Sequence, residues 1–495
     1  MTIPVGLTGI LAILVLSFLM SKKKSLINWR LIVSGLSIQC LLAVFCLKSP
    51  LGQQLFQQLG LGVSKLLDFS DQGAGFVFGF LVTEPEALDA VFGEGSGFIF
   101  AFKLIPTIIF VSTLVSIAYH VGVMQWVVRQ VAWWINWLMG ASGVEALSNT
   151  ASIFVGQIEA QLLIKPYLAT MTRSELLASM AGGMACIAGG IMAVYIQMGI
   201  PAEFLLTASV MAVPGALVIS KLVLPETENS YSQGRVTLSV KKDTVNLIDA
   251  ASRGASDGLR IGLNVIAMLI GFISLIALID FCLQNLGLWL AQMNLSLMAV
   301  GLDVKNLSLA NVLGQLFYWV AVGLGVPVAE AKTVASLMGT KLVTNEFVAY
   351  AQLAPQILEQ AISQKSQAIA SVALCGFANL GSVAMQVGGI GEMAPSRKKD
   401  LAKLGLTALL CGTLASYLSA ALTGVLLDLE LLPNFVLFGY ELTALNGLVG
   451  IAVLGLVVSF FLPRGYRSIY LTAPDLAEFS EADAEQSVPF PEISK

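Results

Sequence analysis

The chain has 495 residues, 56% of them hydrophobic and only 12% charged, with a formal net charge of −4. Soluble domains carry about a quarter charged residues, so this composition excludes an ordinary soluble protein. Apolar runs long enough to cross a hydrocarbon core of about 30 Å recur from end to end, and the alternating segments of about ten residues that mark a membrane β-barrel are absent.

In chain order, residues 4–20 form the first expected span. No basic region precedes it and no small-residue cleavage site follows, so it reads as a retained span and not a signal peptide. Further spans are expected at 31–48, 99–119, 176–198, 203–221, 258–281, 367–390, 404–426 and 443–462. Lys22, Lys23, Lys24 and Arg30 follow the first span, which places that loop in the cytoplasm and the N-terminus outside. Counting crossings, the 222–257 loop, with Arg235, Lys241, Lys242 and Arg253, also falls inside, as does the run Arg397, Lys398, Lys399 and Lys403. The same count ends the chain in the cytoplasm. Between the third and fourth spans, Trp126, Trp133, Trp134 and Trp137 lie in an amphipathic stretch, 121–138, expected to rest in the interface.

Two regions, 141–170 and 310–352, are apolar but broken by Gly, Pro, Asn and charge. Each starts and finishes on one side of the membrane by the charge count, the first inside and the second outside. That pattern predicts re-entrant helical hairpins, since irregular backbone at membrane depth must be covered by protein or line a wet cavity. In each, an acid (Glu159 or Glu346) precedes by about thirty residues a helix rich in Gly, Ala or Asn. The expected fold is therefore an all-α polytopic membrane protein built from inverted repeats, with two re-entrant hairpins and broken transmembrane helices, the usual plan of secondary transporters. The divisions are 1–97 for N-terminal spans and a peripheral helix serving as scaffold, 98–225 and 258–430 for the repeats, 226–257 for a cytoplasmic loop, and 431–495 for an extra span and an acidic tail.

An ionisable group at membrane depth is a functional hypothesis by default. Glu159 beside Gln157, and Glu346 after Asn345 and Thr344, suit a ligand with several hydroxyls, because one carboxylate accepts two or more O–H bonds. Asn379 and Ser382, three apart, are expected on one helix face, with Phe377 offering an apolar surface to a ring. The competing readings are structural: the acids pair with Lys103, Lys165 or Lys341, and Asn379 and Ser382 hydrogen-bond between helices. Lys103 and His120, the single histidine, read as structural. The six cysteines lie in apolar segments with no C-x-x-C pair and read as packing residues. No zinc spacing, phosphate loop, Ser-His-Asp set or basic patch appears, which argues against an enzyme, a cofactor or a nucleic-acid partner.

Four stretches, GVEALSNTASIFVGQIEAQLLIKPYL, MTRSELLASMAGGMACIAGG, MGTKLVTNEFVAY and ALCGFANLGSVAMQVGGIGEMAPSRKKDLAKLG, occur in order within residues 98–425. They resemble the concentrative nucleoside transporters. The resemblance implies a homotrimer in the inner (plasma) membrane, each protomer carrying a nucleoside with a co-transported cation as a transport domain shuttles against a scaffold. It assigns Gln157 and Ile158 to the base, Glu159, Glu346, Phe377, Asn379 and Ser382 to the ribose, and Ile191 to packing against the base. Ile158 replaces the family's hydroxyl residue, which is expected to alter base preference. The cation site would fall on Ser152, Val155, Cys186 and Ile187. Sodium-coupled relatives carry Asn and Ser where this chain has Ser152 and Cys186. A thiol suits a hard cation poorly, so the expectation tips from sodium towards proton, with Asn149 as a compensating ligand. Left open are a related carrier for a modified nucleoside or free base, and a transport-incompetent receptor or scaffold.

Overall fold

The computed structural model describes residues 3–92, 99–228, 230, 244–293, 307–429, 435–437, 440–442 and 444–462. Part of the 222–257 loop, including Arg235, Lys241 and Lys242, and the acidic tail from 463 onward lie outside the described residues. The chain opens with α1 (Ile3–Leu19), α2 (Trp29–Lys48), α3 (Pro50–Phe78), α4 (Phe80–Thr83) and α5 (Pro85–Phe92). The next elements are α6 (Phe100–Val121), α7 (Val123–Met139), α8 (Gly143–Ala151) and α9 (Glu159–Leu162). A broken helix, α10 (Arg173–Ala185) and α11 (Gly189–Gln197), leads to α12 (Ala202–Val223) and the long α13 (Leu247–Gln292). The second half holds α14 (Leu309–Gly323), α15 (Ala331–Val343), α16 (Glu346–Leu358), a second broken helix of α17 (Gln364–Leu374) and α18 (Leu380–Met393), and α19 (Lys398–Asp428). A two-stranded hairpin, β1 (Phe435–Leu437) and β2 (Tyr440–Leu442), precedes α20 (Ala444–Ser459).

The architecture is helical and polytopic, and helices stand at every expected span. Among the described residues six helices are long and apolar enough to cross a bilayer: Trp29–Lys48, Ala101–Val121, Arg173–Gln197, Ala202–Val223, Leu247–Gln292 and Pro395–Asp428. The 310–352 stretch holds α14, α15 and the start of α16, so a full helix precedes the arm that leads to Glu346. The largest departure in length is α13, 46 residues where 258–281 were expected. At 1.5 Å per residue it runs about 69 Å, roughly twice the hydrocarbon core.

The helices sort into two bodies by packing. One centres on α12 and α19, which pack on each other and on α10 and α17. Helices α1 and α2, expected with the peripheral N-terminal part, lie against α19 and α12 and so belong with this bundle. One buried and one part-buried ion pair fasten its helices. Lys221 of α12 pairs with Glu145 of α8 and donates to Ser174 of α10 at 2.8 Å, and Lys365 of α17 pairs with Asp428 of α19 at 2.7 Å.

The other body is the antiparallel pair α6 and α13. Gly254, Gly258 and Gly262 recur every four residues on α13 and face α6. A Cβ at Gly258 would lie 2.6 Å from Ile109 Cα, and one at Gly254 2.7 Å from Ser112 O. Small residues at this spacing let two backbones touch, the usual device where lipid offers no hydrophobic drive for helix association. Lys103 of α6 pairs with Asp71 of α3 at 2.9 Å, bringing α3 to the same pair. His120 ends α6 hydrogen-bonded to Thr244 Oγ1 at 2.6 Å. Beyond it, α7 leaves Trp126, Trp133, Trp134 and Trp137 exposed, as an interfacial helix requires. All six cysteines are free, and five are buried.

Replacing Gly258 by Val should push α6 and α13 apart at a cost of about 1–3 kcal/mol. The same change at Gly271, which has nothing within 4 Å, should cost little. Thermal unfolding of the two variants in detergent measures the difference, and equal melting points would refute the glycine seam.

Candidate functional site

The site begins where the two broken helices interrupt. Helix α10 ends at Cys186 and α17 ends at Cys375, and the two interruptions lie against each other. Phe377 N–H donates to the Cys186 carbonyl at 3.3 Å. Gly376 holds φ at +109°, and a Cβ there would sit 2.6 Å from the carbonyl oxygens of Met184 and Ala185. A side chain is therefore excluded at Gly376 both by conformation and by space. The loop between α8 and α9 joins them, Gly189 N–H donating to Phe154 O at 3.2 Å.

Asparagines cap two helices beside these turns: α16, which follows the α15–α16 turn, and α18, which restarts after the second interruption. Asn345 Oδ1 accepts from Val348 N–H at 2.9 Å at the start of α16, and Asn379 Oδ1 accepts from Ser382 N–H at 2.9 Å at the start of α18. Asn379 is thus an N-cap, and Ser382 lies in the first turn it caps. The two residues expected on one helix face stand at the helix start, Asn379 as its cap, because Asn side chains bond to free backbone N–H groups more favourably at a cap than inside a helix.

The interruptions, the α8–α9 loop and the α15–α16 turn open on a cavity of about 1230 Å³. All eight substrate residues expected from the sequence line it: Gln157, Ile158, Glu159, Ile191, Glu346, Phe377, Asn379 and Ser382. The opposite wall comes from the α6–α13 pair, including Ser116, Tyr119, Asp257 and Arg260. The cavity therefore lies between the two bodies.

The two acids have different settings. Glu159 is exposed to the cavity, its carboxylate folded over Gly156, where a Cβ would overlap Oε2. Glu346 is buried and doubly held: Tyr195 O–H donates to Oε1 and Asn379 Nδ2 to Oε2, each at 3.2 Å. Among the described residues neither acid forms an ion pair with a lysine, although Lys165, one of the three expected partners, lines the same cavity as Glu159. Lys103 is committed to Asp71, and Lys341 donates to the carbonyls of Ala373 and Cys375.

Gln157 is oriented by a residue that the sequence reading missed. Gln386 Nε2 donates to the Met180 carbonyl at 3.1 Å and to Gln157 Oε1 at 2.9 Å. A backbone carbonyl must face a donor, so Met180 fixes the amide of Gln386, and Gln386 in turn fixes that of Gln157. Gln157 Nε2 then donates to Ser382 Oγ at 3.1 Å. One N–H and one lone pair of Gln157 are left for a ligand. Asn345, named in the sequence only as a neighbour of Glu346, lines the cavity as well, and among the described residues its buried Nδ2 has no hydrogen-bond partner. Ile158 seats on Gly389 of α18, where a Cβ would come within 3.0 Å of it.

The expected cation ligands cluster around the first interruption with mixed chemistry. Ser152 Oγ donates to Ser148 O within its own helix at 2.9 Å, and Cys186 presents a buried thiol. Val155 lines the cavity, while Ile187 is buried. Asn149 Nδ2 donates to Glu145 O at 2.8 Å, but its buried Oδ1, packed against Gly182, has no donor among the described residues.

A polytopic helical bundle whose broken helices bring polar side chains to one largely apolar cavity, facing a separate helical wall, defines a membrane transporter. Three family models match the chain: Na+ dependent nucleoside transporter N-terminus over residues 8–81, nucleoside recognition (gate) over 101–202, and Na+ dependent nucleoside transporter C-terminus over 204–424. The chain belongs to this Na+-dependent, or concentrative, nucleoside transporter family, whose members are transporters and not enzymes.

Among its relatives, the uncharacterized transporter YutK of Bacillus subtilis is 41% identical over 422 residues, 85% of this chain and 98% of its own. Nucleoside permease NupC of Helicobacter pylori is 36% identical, covering 86% and 98%. Solute carrier family 28 member 3 of Homo sapiens is 36% identical over 85% of this chain and 60% of its own. Among solved structures, CNTnw in an inward-facing substrate-bound state superposes with a TM-score of 0.79 at 37% identity, covering 89% of this chain and 100% of CNTnw. A CNTnw variant in an outward-facing state gives 0.80 at 38% identity, covering 87% and 99%.

Replacing Gln386 by Leu frees the Gln157 amide to rotate. Nucleoside binding, measured by calorimetry on purified protein, should weaken about tenfold, the scale of one buried hydrogen bond. Unchanged affinity would show that Gln386 does not orient Gln157.

Proposed function

We propose that the protein takes up nucleosides by cation symport, the bundle around α12 and α19 moving as a unit against the α6–α13 wall in an elevator-type alternating-access cycle. The observation that carries this reading is the convergence of Gln157, Glu159, Glu346, Phe377 and Asn379 on one cavity between the two bodies. The inward- and outward-facing structures of CNTnw support the alternating cycle.

In this reading Glu159 and Glu346 accept the ribose hydroxyls, a vicinal diol presenting two donors to carboxylate oxygens. Phe377 packs against the sugar, and Asn379 and Ser382 complete its shell. The unused N–H and lone pair of Gln157 suit the donor–acceptor edge of a nucleobase. Ile191 and Ile158 supply apolar walls for the base. The short helices on either side of Glu159 and Glu346 are read as re-entrant hairpins of inverted repeats. Their bundle takes in α1 and α2, so the fixed scaffold reduces to α6, α13 and what packs on them. A homotrimer in the inner (plasma) membrane, with the N-terminus outside and the C-terminus in the cytoplasm, completes the proposal.

For coupling we favour the proton over sodium. A thiol at Cys186 and a short hydroxyl at Ser152 make a poor oxygen cage for a hard cation. The unpartnered Asn149 Oδ1 is the observation that favours the sodium alternative.

Radiolabelled uridine and adenosine should accumulate in cells that lack their own carriers, and 2′- or 3′-deoxy analogues should compete poorly. Failure to accumulate either nucleoside would sink the symporter reading in favour of a receptor or a carrier for another ligand. Glu159→Gln should insert normally but lose uptake; normal uptake would make that acid structural. Uptake should persist in sodium-free buffer and collapse with a protonophore, and the reverse pattern would assign the coupling ion as sodium held at Asn149.

A further inference from the structure

Lys341, in the last turn of α15, is about the least favourable residue to bury, yet it is only 1% exposed. Among the described residues it forms no ion pair, and the nearby acid, Glu346, has both oxygens engaged by Tyr195 and Asn379. Its ammonium donates instead to two backbone carbonyls, Ala373 O at 3.0 Å and Cys375 O at 3.2 Å. These belong to the end of α17, where the helix stops and its last carbonyls lose their intrahelical donors. The end of a helix carries about half a negative charge. A set of convergent carbonyl oxygens at such an end, shut off from solvent, has the make-up of a monovalent-cation site.

We propose that the second helix interruption is a carbonyl cradle for a monovalent cation, and that the ammonium of Lys341 is its permanent, tethered occupant. The first interruption is closed differently. There the Cys186 carbonyl takes a neutral backbone donor, Phe377 N–H, and among the described residues no lysine donates to it. The second interruption has a helper in Ser416, whose Oγ donates to the same Cys375 carbonyl at 2.8 Å, but neutral donors alone leave Ala373 O unbonded.

The tether also sets geometry. Lys341 stands four residues before Asn345, and Cys375 stands two before Phe377 and four before Asn379. One charged contact therefore fixes the arm that presents Asn345 and Glu346 relative to the turn that presents Phe377 and Asn379. Lys341 is a positioning residue in this account and touches no ligand.

A variant that shortens the side chain leaves the carbonyls in place and room beside them, so a free alkylammonium should substitute for the lost one. Lys341→Met keeps the length without the charge, Lys341→Arg keeps the charge, and Lys341→Ala opens the cradle. Uptake by Lys341→Met should fall about tenfold or more, since buried carbonyls lose their charged partner, and Lys341→Arg should retain more of it. Propylammonium should restore uptake by Lys341→Ala and raise its melting temperature in detergent, while propanol at the same concentration should do neither. The uptake arm leans on the transport reading; the melting arm does not, so failure of one can be told from failure of the other. Wild-type uptake by Lys341→Met, or equal responses of Lys341→Ala to propylammonium and propanol, would overturn the proposal. A variant that inserts only when propylammonium is in the growth medium would support it, and one that fails to insert with or without the amine would count against it.

Discussion

Backbone polar groups freed at membrane depth have no water to turn to, and each one left unbonded costs several kcal/mol. This chain interrupts two helices in the middle of its core, and the rest of the structure answers that demand. The interruptions lie back to back, Phe377 N–H on the Cys186 carbonyl, with Gly376 the residue that lets the two backbones meet. Asn379 caps the helix that restarts after the second interruption and Asn345 caps α16 beside it, while Lys341 and Ser416 close the carbonyls of the helix that stopped. The site is what remains after this accounting: the side chains of the capping turns, and the acids beside them, are the groups left facing the cavity.

The settings of the two acids follow from the same arrangement. Glu346 is the first residue of α16, next to its capping asparagine, so its carboxylate is drawn into the bundle and met by Tyr195 and Asn379. Tyr195 comes from the first half of the chain and Asn379 from the second, so this one carboxylate joins both halves. Glu159 opens a helix of only four residues in a loop that Gly156 allows to fold tightly, and it faces the open side of the cavity. One acid is pre-organised and the other is accessible.

Much of this was legible in the sequence. Nine apolar runs marked spans, and polar residues in otherwise apolar surroundings marked Gln157, Glu159, Glu346 and Asn379, because lipid tolerates such residues only with a reason. What escaped notice shares a physical cause. Gln386 and Tyr195 look like ordinary helix residues until the fold brings Gln157 and Glu346 to them from more than 150 positions away. The cap role of Asn379 was hidden because three-residue spacing fits a helix face as well as an N-cap. The length of α13 was missed because its first turns carry Arg253, Asp257 and Arg260, which read as loop by charge but continue as helix alongside α6, with Asp257 and Arg260 at the cavity. The glycines that seam it to α6 announce themselves only by their spacing of four.

The helix α20 lies past residue 424, where the family match stops. It packs on α2, Gly455 lying so close that a Cβ would be 2.6 Å from Ser37 Oγ, and just beyond it Phe460 rests against Trp137 and under the Arg30 guanidinium. The outer face of α2 is thus covered by a helix made about four hundred residues later. Arg30, Ser37 and Trp137 gain these neighbours only once α20 and the residues just after it have been synthesised, so α2 packs in two separate stages.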